Sequence, residues 1–350
     1  MAAQRAEITA DSQVARIFEW RRGFNTIYLI HLGVQLGLFR ALNEAPGSTA
    51  DQLAAKLRLH APYVERWCLT AYGMELLDAQ GAGYKLAPFM DVILTAPSHP
   101  RYLGGYVQLG AEVAAEDFMR CLQAFETGKA IPFQGRGDAF NCAVASSTWG
   151  LQVVTAKKIL PGLAGLSERL NGGGRVLEVG CGTGNLLVQL AKAFPASQIV
   201  GVDIDAESVT AARGRARDAG VADRVQVHQG DVATATATQG RRYDAALMVE
   251  VLHEIAAELR PAVVTETARA LAPGGWMVIV DETYPGTLEE ARLPEFKFPL
   301  HTGFEEMLWG NVIPTRAEQE RLLRDAGLTG RIERSLIGEG FTVLATQKPA

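Results

Sequence analysis

Strand and helix patterns alternate through the second half of this chain, and this alternation restricts its fold more than any other feature of the sequence. Apolar runs such as "RVLEVGC", "QIVGVDI" and "YDAALMVEV" are separated by helical runs such as "NLLVQLAKAF" and "ESVTAARGRARDAG". Strands that alternate with helices form a mostly parallel sheet covered by helices on both faces. The pattern therefore predicts an α/β fold with a doubly wound sheet, and "RIERSLI" with "FTVLATQ" predicts an antiparallel hairpin at its C-terminal end.

The first hundred residues have a different organisation. Three segments have helical apolar spacing, and "GAGYKLA" follows them as a short β-wing; the segments are "QVARIFEWRRGFNTIYLIHLGVQLGLFRALNE", "STADQLAAKL" and "APYVERWCLTAYGMELLDAQ". Three helices and a wing predict an α-rich winged-helix domain over residues 1–105. Residues 106–165 are predicted to be a helical linker that contributes to a substrate pocket, and residues 166–350 to be the cofactor-binding domain.

Charge and cysteine usage exclude several classes of protein. The formal net charge of −5 argues against a nucleic-acid-binding surface, because such surfaces are basic. The four cysteines contain no CxxC pair, so we interpret them as reduced thiols. The N-terminal residues carry no apolar signal region, and the most apolar early segment is too short to span a bilayer. We therefore expect a cytoplasmic protein with no membrane or nucleic-acid partner.

The segment "LEVGCGTGN" is the most informative about ligand binding. Gly180, Gly182 and Gly184 follow a predicted strand and precede a predicted helix, where glycines allow a tight turn and a close approach to a ligand. Their GxGxG spacing differs from the GxGxxG spacing of NAD sites. Glu178, two residues before the first glycine, suits the cationic amino group of a methionine moiety and would repel a pyrophosphate.

Two aspartates end the next two strands of this domain. Asp203 ends "VGVD", where a carboxylate can hold the hydroxyls of a ribose. Asp231 lies in "QGDV", where it can accept a hydrogen bond from an adenine amino group. Together with the glycine loop, they predict a nucleoside cofactor that carries an amino acid.

At these residues the chain resembles the class I S-adenosylmethionine (SAM)-dependent methyltransferases. The matching positions are Glu178, Gly180, Gly182, Gly184, Asp203 and Asp231. The resemblance implies SAM rather than a nicotinamide cofactor, and a Rossmann-like domain whose sheet ends in an antiparallel strand. It also places neighbouring residues in the cofactor site, namely Cys181, Thr183, Ile204, Gly230, Val232 and Glu250.

The order of the two domains extends the resemblance to nearly the whole chain. A winged-helix domain before a SAM domain looks like the small-molecule O-methyltransferases of the acetylserotonin and caffeate type and their bacterial relatives. That resemblance implies a homodimer formed through the N-terminal domain. A DNA-binding regulator is the alternative, but the candidate recognition helix carries one arginine, Arg66, among apolar residues such as Trp67 and Leu69. A helix that reads a DNA groove needs several exposed polar side chains.

The segment "VEVLHEI" places His253 directly after the fourth predicted strand. The family resemblance implies that this histidine is the general base that deprotonates the acceptor hydroxyl. Imidazole suits this role, because its pKa lies near working pH. The family usually has aspartate after the histidine, whereas this chain has Glu254, so the partner of the imidazole stays open. A histidine that caps the next helix or lies in the pocket wall is the structural alternative.

Two further groups are candidates for the same edge of the sheet. Asp281 and Glu282 end the fifth strand in "VIVDETYPG", and His301 lies in the connection that follows. His253, an acid such as Glu282, and His301 form a two-histidine, one-carboxylate set, which is a ligand pattern of mononuclear iron sites. The chain also resembles the metal-dependent C-methyltransferases of 2-oxo acids, which implies a divalent or ferric metal as an alternative cofactor.

The connection after the fifth strand also supplies candidates for the wall of an acceptor pocket. These are Phe296, Phe298, Phe304, Met307 and Trp309. The neighbouring Glu305 and Glu306 are interpreted as a solvated helix face.

Overall fold

A computed structural model describes residues 8–132, 135–233 and 242–350. The chain divides into two compact units, and the boundary lies between Val113 and Ala114. Within the described ranges, no helix is long and apolar enough to cross a membrane.

The N-terminal unit contains six helices and one hairpin among its described residues. They are α1 (Ala10–Gln35), α2 (Leu38–Glu44), α3 (Ala50–Leu57), α4 (Ala61–Gly73), β1 (Leu77–Gln80), β2 (Gly83–Leu86), α5 (Met90–Leu94) and α6 (Gly104–Gln108). β1 and β2 pair antiparallel. Leu38, Phe39 and Trp67 belong to the buried core on which the helices pack.

Two predicted helix boundaries in this unit were wrong. The first predicted helix is two helices, because Gly37 adopts a φ of 73° and reverses the chain between α1 and α2. The third predicted helix ends at Gly73, and Glu75 adopts a φ of 58° before the chain enters β1. A left-handed residue stops the helical hydrogen-bond ladder, so neither helix continues as its apolar spacing suggested.

The C-terminal unit is built on a seven-stranded sheet. Its strands are β3 (Arg175–Val179), β4 (Gln198–Asp203), β5 (Val225–Gln229), β6 (Tyr243–Val249), β7 (Leu271–Asp281), β8 (Glu333–Ile337) and β9 (Phe341–Gln347). Their order is β5-β4-β3-β6-β7-β9-β8. β3 to β7 are parallel, whereas β9 is antiparallel to β7 and β8. The predicted doubly wound sheet with a closing hairpin is confirmed.

Helices cover both faces of this sheet. The helices of the unit are α7 (Ala115–Phe118), α8 (Cys121–Thr127), α9 (Asp138–Ser147), α10 (Trp149–Val154), α11 (Leu160–Gly162), α12 (Leu166–Asn171), α13 (Asn185–Ala193), α14 (Ala206–Asp218), α15 (Arg260–Ala270), α16 (Lys297–Leu308) and α17 (Arg316–Asp325). Successive residues of a strand face opposite sides, so Val176 packs with Leu186 of α13, and Leu177 packs with Val264 of α15. The carboxyl ends of β3 to β7 therefore form one edge, where ligands of such sheets bind.

Candidate active site

The glycine loop after β3 has a backbone that only glycine adopts easily. Gly180, Gly182 and Gly184 have φ values of 66°, 48° and 78°. A Cβ atom on Gly180 would lie 2.6 Å from a Val251 methyl carbon, and one on Gly184 would lie 2.8 Å from the Cβ of Ala212. A Cβ on Gly182 would meet no heavy atom of the described residues within 4 Å, so this backbone has open space beside it for a ligand.

Asp203 holds the glycine loop from the end of β4. One carboxylate oxygen accepts a hydrogen bond from the Gly182 N–H at 2.7 Å, and the other accepts from the Asp205 N–H at 2.9 Å. Burial raises the pKa of Asp203, and these backbone bonds partly offset the rise. Each oxygen keeps a second lone pair, so the carboxylate can still accept from ribose hydroxyls.

The end of β5 lies beside Asp203, because the Gly230 N–H donates to the Asp203 carbonyl at 2.8 Å. Asp231 follows with an exposed side chain, and Val232 is buried. Ile204 is 65% exposed, which leaves its side chain available to the flat face of a base. These residues line one edge, as the sequence predicted.

Two buried oxygen atoms beside the loop lack a hydrogen-bond partner among the described residues. They are Oε2 of Glu178 and Oγ1 of Thr183. Burial, with the nearby charge of Asp203, raises the pKa of Glu178 well above its usual range. A cationic amino group would supply both the missing donors and the missing charge. The residues present therefore fit the methionine part of SAM.

His253 lies in the turn that follows β6, four residues after Val249, and is buried. Its Nδ1 lies 2.6 Å from Oδ1 of Asp281, at the end of β7, and its backbone N–H donates to Oδ2 of Asp281 at 3.2 Å. Asp281 is therefore the partner of the imidazole that the sequence left open. An Nδ1–H donated to a carboxylate leaves Nε2 as the ring atom that can accept a proton.

Two glutamates flank this imidazole. Oε2 of Glu282 lies 3.5 Å from Nδ1 of His253, and Oε2 of Glu306, from α16, lies 3.8 Å from Nε2. The Asn311 amide donates to Glu306 at 2.7 Å and fixes its position. The interpretation of Glu306 as part of a solvated helix face was wrong, because its side chain is only 15% exposed. Glu305 is also partly buried.

The carboxylates control the charge of the histidine. Burial disfavours the imidazolium, but Asp281 and Glu306 outweigh burial and raise the pKa of His253 well above its usual range. Burial likewise opposes ionisation of Asp281, but the charge and hydrogen bond of His253 hold the pKa of Asp281 below its usual range. The pair therefore favours the ionised state, with imidazolium beside carboxylate.

His301 does not join this group. One side-chain ligand atom from each of Glu250, His253, Asp281 and Glu282 lies within 4.8 Å of the others; we call these four residues the His253 cluster. His301 lies on α16 with an exposed side chain. It is five residues before Glu306, which is roughly 140° around a helix of 3.6 residues per turn, so one face cannot present both side chains to His253. The predicted two-histidine set is not formed in the described parts of the chain.

Arg260 is a buried residue for which no sequence pattern predicted a role. Its Nε donates to the Ile255 carbonyl at 2.9 Å, and its guanidinium also reaches the carbonyls of His253, at 3.3 Å, and Val312. Nη1 donates to Glu318 of α17 at 2.9 Å. One side chain thus ties the turn that carries His253 to the segment before α17.

The predicted pocket aromatics have two different environments. Trp309 is buried, and its indole N–H donates to Asp117 at 2.7 Å, where Arg136 also binds the Asp117 carboxylate. Phe304 is exposed and stacks on Phe118 with ring centroids 5.6 Å apart. Trp309 is therefore a core residue that anchors the end of α16, and Phe304 is available to a ligand.

Comparison with known sequences identifies relatives of the chain. A family model described as a methyltransferase domain matches residues 176–275. The 3-hydroxy-5-methyl-1-naphthoate 3-O-methyltransferase of Streptomyces sahachiroi is 28% identical over 306 residues, which cover 84% of this chain and 83% of that protein. The N,N-dimethyltransferase OxyT of Streptomyces rimosus is 25% identical over 77% of this chain and 78% of that protein.

Solved structures show the same fold. An O-methyltransferase family protein from Burkholderia thailandensis has a TM-score of 0.76 at 18% identity, covering 98% of this chain and 99% of that chain. Human N-acetylserotonin methyltransferase in complex with SAM has a TM-score of 0.77 at 17% identity, covering 99% of this chain and all of that chain. The similarity in fold therefore extends over nearly the whole length of each protein.

Proposed function

Since the chain belongs to the class I SAM-dependent methyltransferases, we propose that it methylates a hydroxyl group of a small organic acceptor, with His253 as the general base. The observation that carries the proposal is the buried pair of His253 and Asp281 at the carboxyl edge of the sheet, beside the glycine loop. A relative that methylates a naphthoate hydroxyl supports the choice of acceptor group.

Each side chain has a task in this proposal. Nε2 of His253 takes the proton of the acceptor hydroxyl, and Asp281 holds the imidazole and stabilises the imidazolium that forms. When bound, SAM would supply an electrophilic sulfonium methyl group for transfer to the deprotonated oxygen, with S-adenosylhomocysteine as the leaving group. Glu178, Asp203 and the backbone of Gly182 are the groups that would hold SAM.

The proposal is tested by incubating the protein with SAM and a panel of phenols, catechols and 2-oxo acids, followed by mass spectrometry. We expect one added methyl group on a hydroxyl, together with S-adenosylhomocysteine. Methylation of the carbon next to the carbonyl of a 2-oxo acid would contradict the assignment.

Metal-assisted C-methylation with His253 and His301 as ligands is the alternative chemistry. Its ligand set does not fit, because His301 is exposed on α16 and lies outside the His253 cluster. We therefore propose a reaction that proceeds without a metal and is unaffected by chelators.

The pH dependence of activity is expected to report the charge of Glu306. A general base works in its neutral form, so the raised pKa of His253 makes kcat/KM increase with pH until the pH exceeds that pKa. Glu306→Gln removes one of the charges that raise the pKa of His253, so the increase of kcat/KM should occur at lower pH. Glu339→Gln, at an exposed turn, removes the same charge and should leave the profile in place. Identical profiles for wild type and Glu306→Gln would contradict the assignment.

We also propose that the protein is a homodimer formed through α1. This helix exposes an apolar surface that includes Val14, Ile17, Phe18, Trp20 and Phe24. Apolar surface of this extent on a helix is typical of protein interfaces. Light scattering at micromolar concentration should give twice the chain mass, and a monomer would contradict the proposal.

A cytoplasmic location without a nucleic-acid partner completes the proposal. Its support is the four free cysteines and the net charge of −5. The exposed part of α4 carries Tyr63, Leu69 and Tyr72, and Arg66 is its one basic side chain, so the helix offers little positive charge to a nucleic acid.

A further inference from the structure

The His253 cluster has acceptor atoms that the protein itself does not satisfy. Oε1 of Glu250 and Oε2 of Glu282 are buried and have no hydrogen-bond donor among the described residues. Asp281 differs from both, because its oxygens accept from the His253 ring, from the His253 N–H and from the Glu282 N–H at 2.8 Å. Glu250 and Glu282 thus each keep one buried oxygen without a hydrogen bond, although Oε2 of Glu282 also lies 3.5 Å from Nδ1 of His253.

We propose, building on the proposed hydroxyl methylation, that the acceptor carries a protonated amine, which Glu250 and Glu282 bind while His253 deprotonates a hydroxyl elsewhere on the same molecule. An ammonium group donates up to three hydrogen bonds and carries the charge that buried carboxylates lack. Ammonium hydrogen bonds of about 2.8 Å to two carboxylate oxygens, at a tetrahedral angle, place those oxygens about 4.6 Å apart. One ligand atom of Glu250 and one of Glu282 lie no more than 4.8 Å apart, so a single ammonium group can reach both side chains.

The charges around the cluster favour a cationic ligand. The acidic side chains that act on one another here are Glu250, Glu254, Asp281, Glu282 and Glu306. Burial and the neighbouring carboxylates raise the pKa of Glu250 well above its usual range, and burial raises the pKa of Glu282 to about 7. Arg260 contacts the same turn, but its charge is paired with Glu318. A bound cation would offset the repulsion and cause these carboxyl groups to release protons.

The position of Glu250 separates this role from SAM binding. The Glu250 N–H donates to the Val280 carbonyl of β7 at 2.8 Å, and its carboxyl group is influenced by Glu282, Asp281 and His253. Glu178, which fits the amino group of SAM, is influenced instead by Asp203. We therefore propose Glu250 for the acceptor rather than for the cofactor, to which the family resemblance assigned it.

A divalent cation is the competing ligand, and the histidine geometry disfavours it. Nδ1 of His253 lies 2.6 Å from Asp281, so this nitrogen is already hydrogen-bonded and does not offer a free lone pair to a metal. Nε2 faces Glu306 rather than a second histidine.

Calorimetry with tyramine and 4-ethylphenol tests the proposal, because these phenols differ mainly in the ammonium group. With enzyme saturated by S-adenosylhomocysteine, tyramine should bind about 10- to 100-fold more tightly than 4-ethylphenol, as expected for hydrogen bonds to charged groups. Glu250→Gln and Glu282→Gln should each remove most of this preference, and Glu339→Gln should leave it unchanged. Proton release, measured from the buffer dependence of the binding enthalpy, should accompany tyramine binding to the wild type.

Several outcomes would overturn the amine assignment. Equal affinities for the two phenols, or no binding of tyramine at millimolar concentration, would exclude an ammonium site. If tyramine binds in the presence of S-adenosylhomocysteine but not of SAM, the carboxylates interact with the positively charged sulfonium of the cofactor rather than with an amine of the acceptor. Stoichiometric Mg²⁺ or Zn²⁺ binding that is lost in Glu250→Gln would identify a metal site. An enzyme that methylates neutral phenols through His253 without any preference for amines would refute this inference alone, whereas methylation of no hydroxyl compound would refute the proposed function.

Discussion

His253→Ala is expected to lower kcat by about 10²- to 10⁴-fold while the affinity for SAM stays close to that of the wild type. The size of the loss is that of removing a positioned general base. The affinity for SAM should persist, because the residues that fit the cofactor lie on the glycine loop and at the ends of β3 and β4. Single-turnover kinetics would give the rate, and calorimetry would give the affinity.

His301→Ala is the matched control for this experiment. Its imidazole is exposed on α16, so we expect turnover close to that of the wild type and no change in metal content. Loss of activity in both variants, together with loss of a stoichiometric metal, would favour the metal-assisted reaction. Full activity of His253→Ala would return this histidine to a structural role.

Arg260→Met is expected to lower the free energy of unfolding by about 3 kcal/mol or more. The substitution keeps apolar volume but leaves the carbonyls of His253 and Ile255 without this donor and Glu318 without its partner. Breaking a buried ion pair from one side costs about 3–5 kcal/mol, and the partial exposure of Glu318 places our value at the lower end. Urea denaturation followed by tryptophan fluorescence would measure the change.

Arg324→Met provides a control in the same unit. Arg324 pairs with Glu320 on the exposed side of α17, and such surface pairs contribute about 0.3–0.5 kcal/mol. If Arg260→Met and Arg324→Met unfold at the same urea concentration, the buried guanidinium of Arg260 does not stabilise the turn that carries His253.

Local patterns in the sequence were enough to predict the cofactor half of the site. Gly180 and Gly184 have positive φ values, and a Cβ atom at either position would lie too close to Val251 or Ala212. The backbone and the packing both require glycine, so the loop can be recognised from its glycines. Asp203 ends its strand after four apolar or small residues, so its position at the edge of the sheet follows from the apolar run. Backbone conformation and strand ends are local properties, which explains why they could be predicted.

The residues around His253 could not be predicted in the same way, because their arrangement depends on contacts between segments that are distant in the chain. The sequence predicted that Asp281 is an acid at the carboxyl edge of the sheet, but only the parallel pairing of β6 and β7 brings it to His253. Glu306 and His301 lie on the same helix, and the sequence cannot say which of them faces the site. The packing of α16 selects Glu306, and the hydrogen bond from Asn311 holds it there.

The amino-acid sequence by itself determined the α/β class, the glycine loop, the SAM chemistry and the place of His253 after a buried strand. The class, the loop and the place of His253 follow from periodicity or from a residue type that one backbone conformation requires, and the SAM chemistry follows from the family resemblance of the loop. The tertiary structure alone decided which carboxylate pairs with His253, that Arg260 is buried beneath its turn, and that Glu250 and Glu282 share a cluster. These side chains come from segments that are far apart in the chain. Their burial is set by tertiary packing rather than by a local apolar pattern, and it strengthens the effect of each charge on its neighbours.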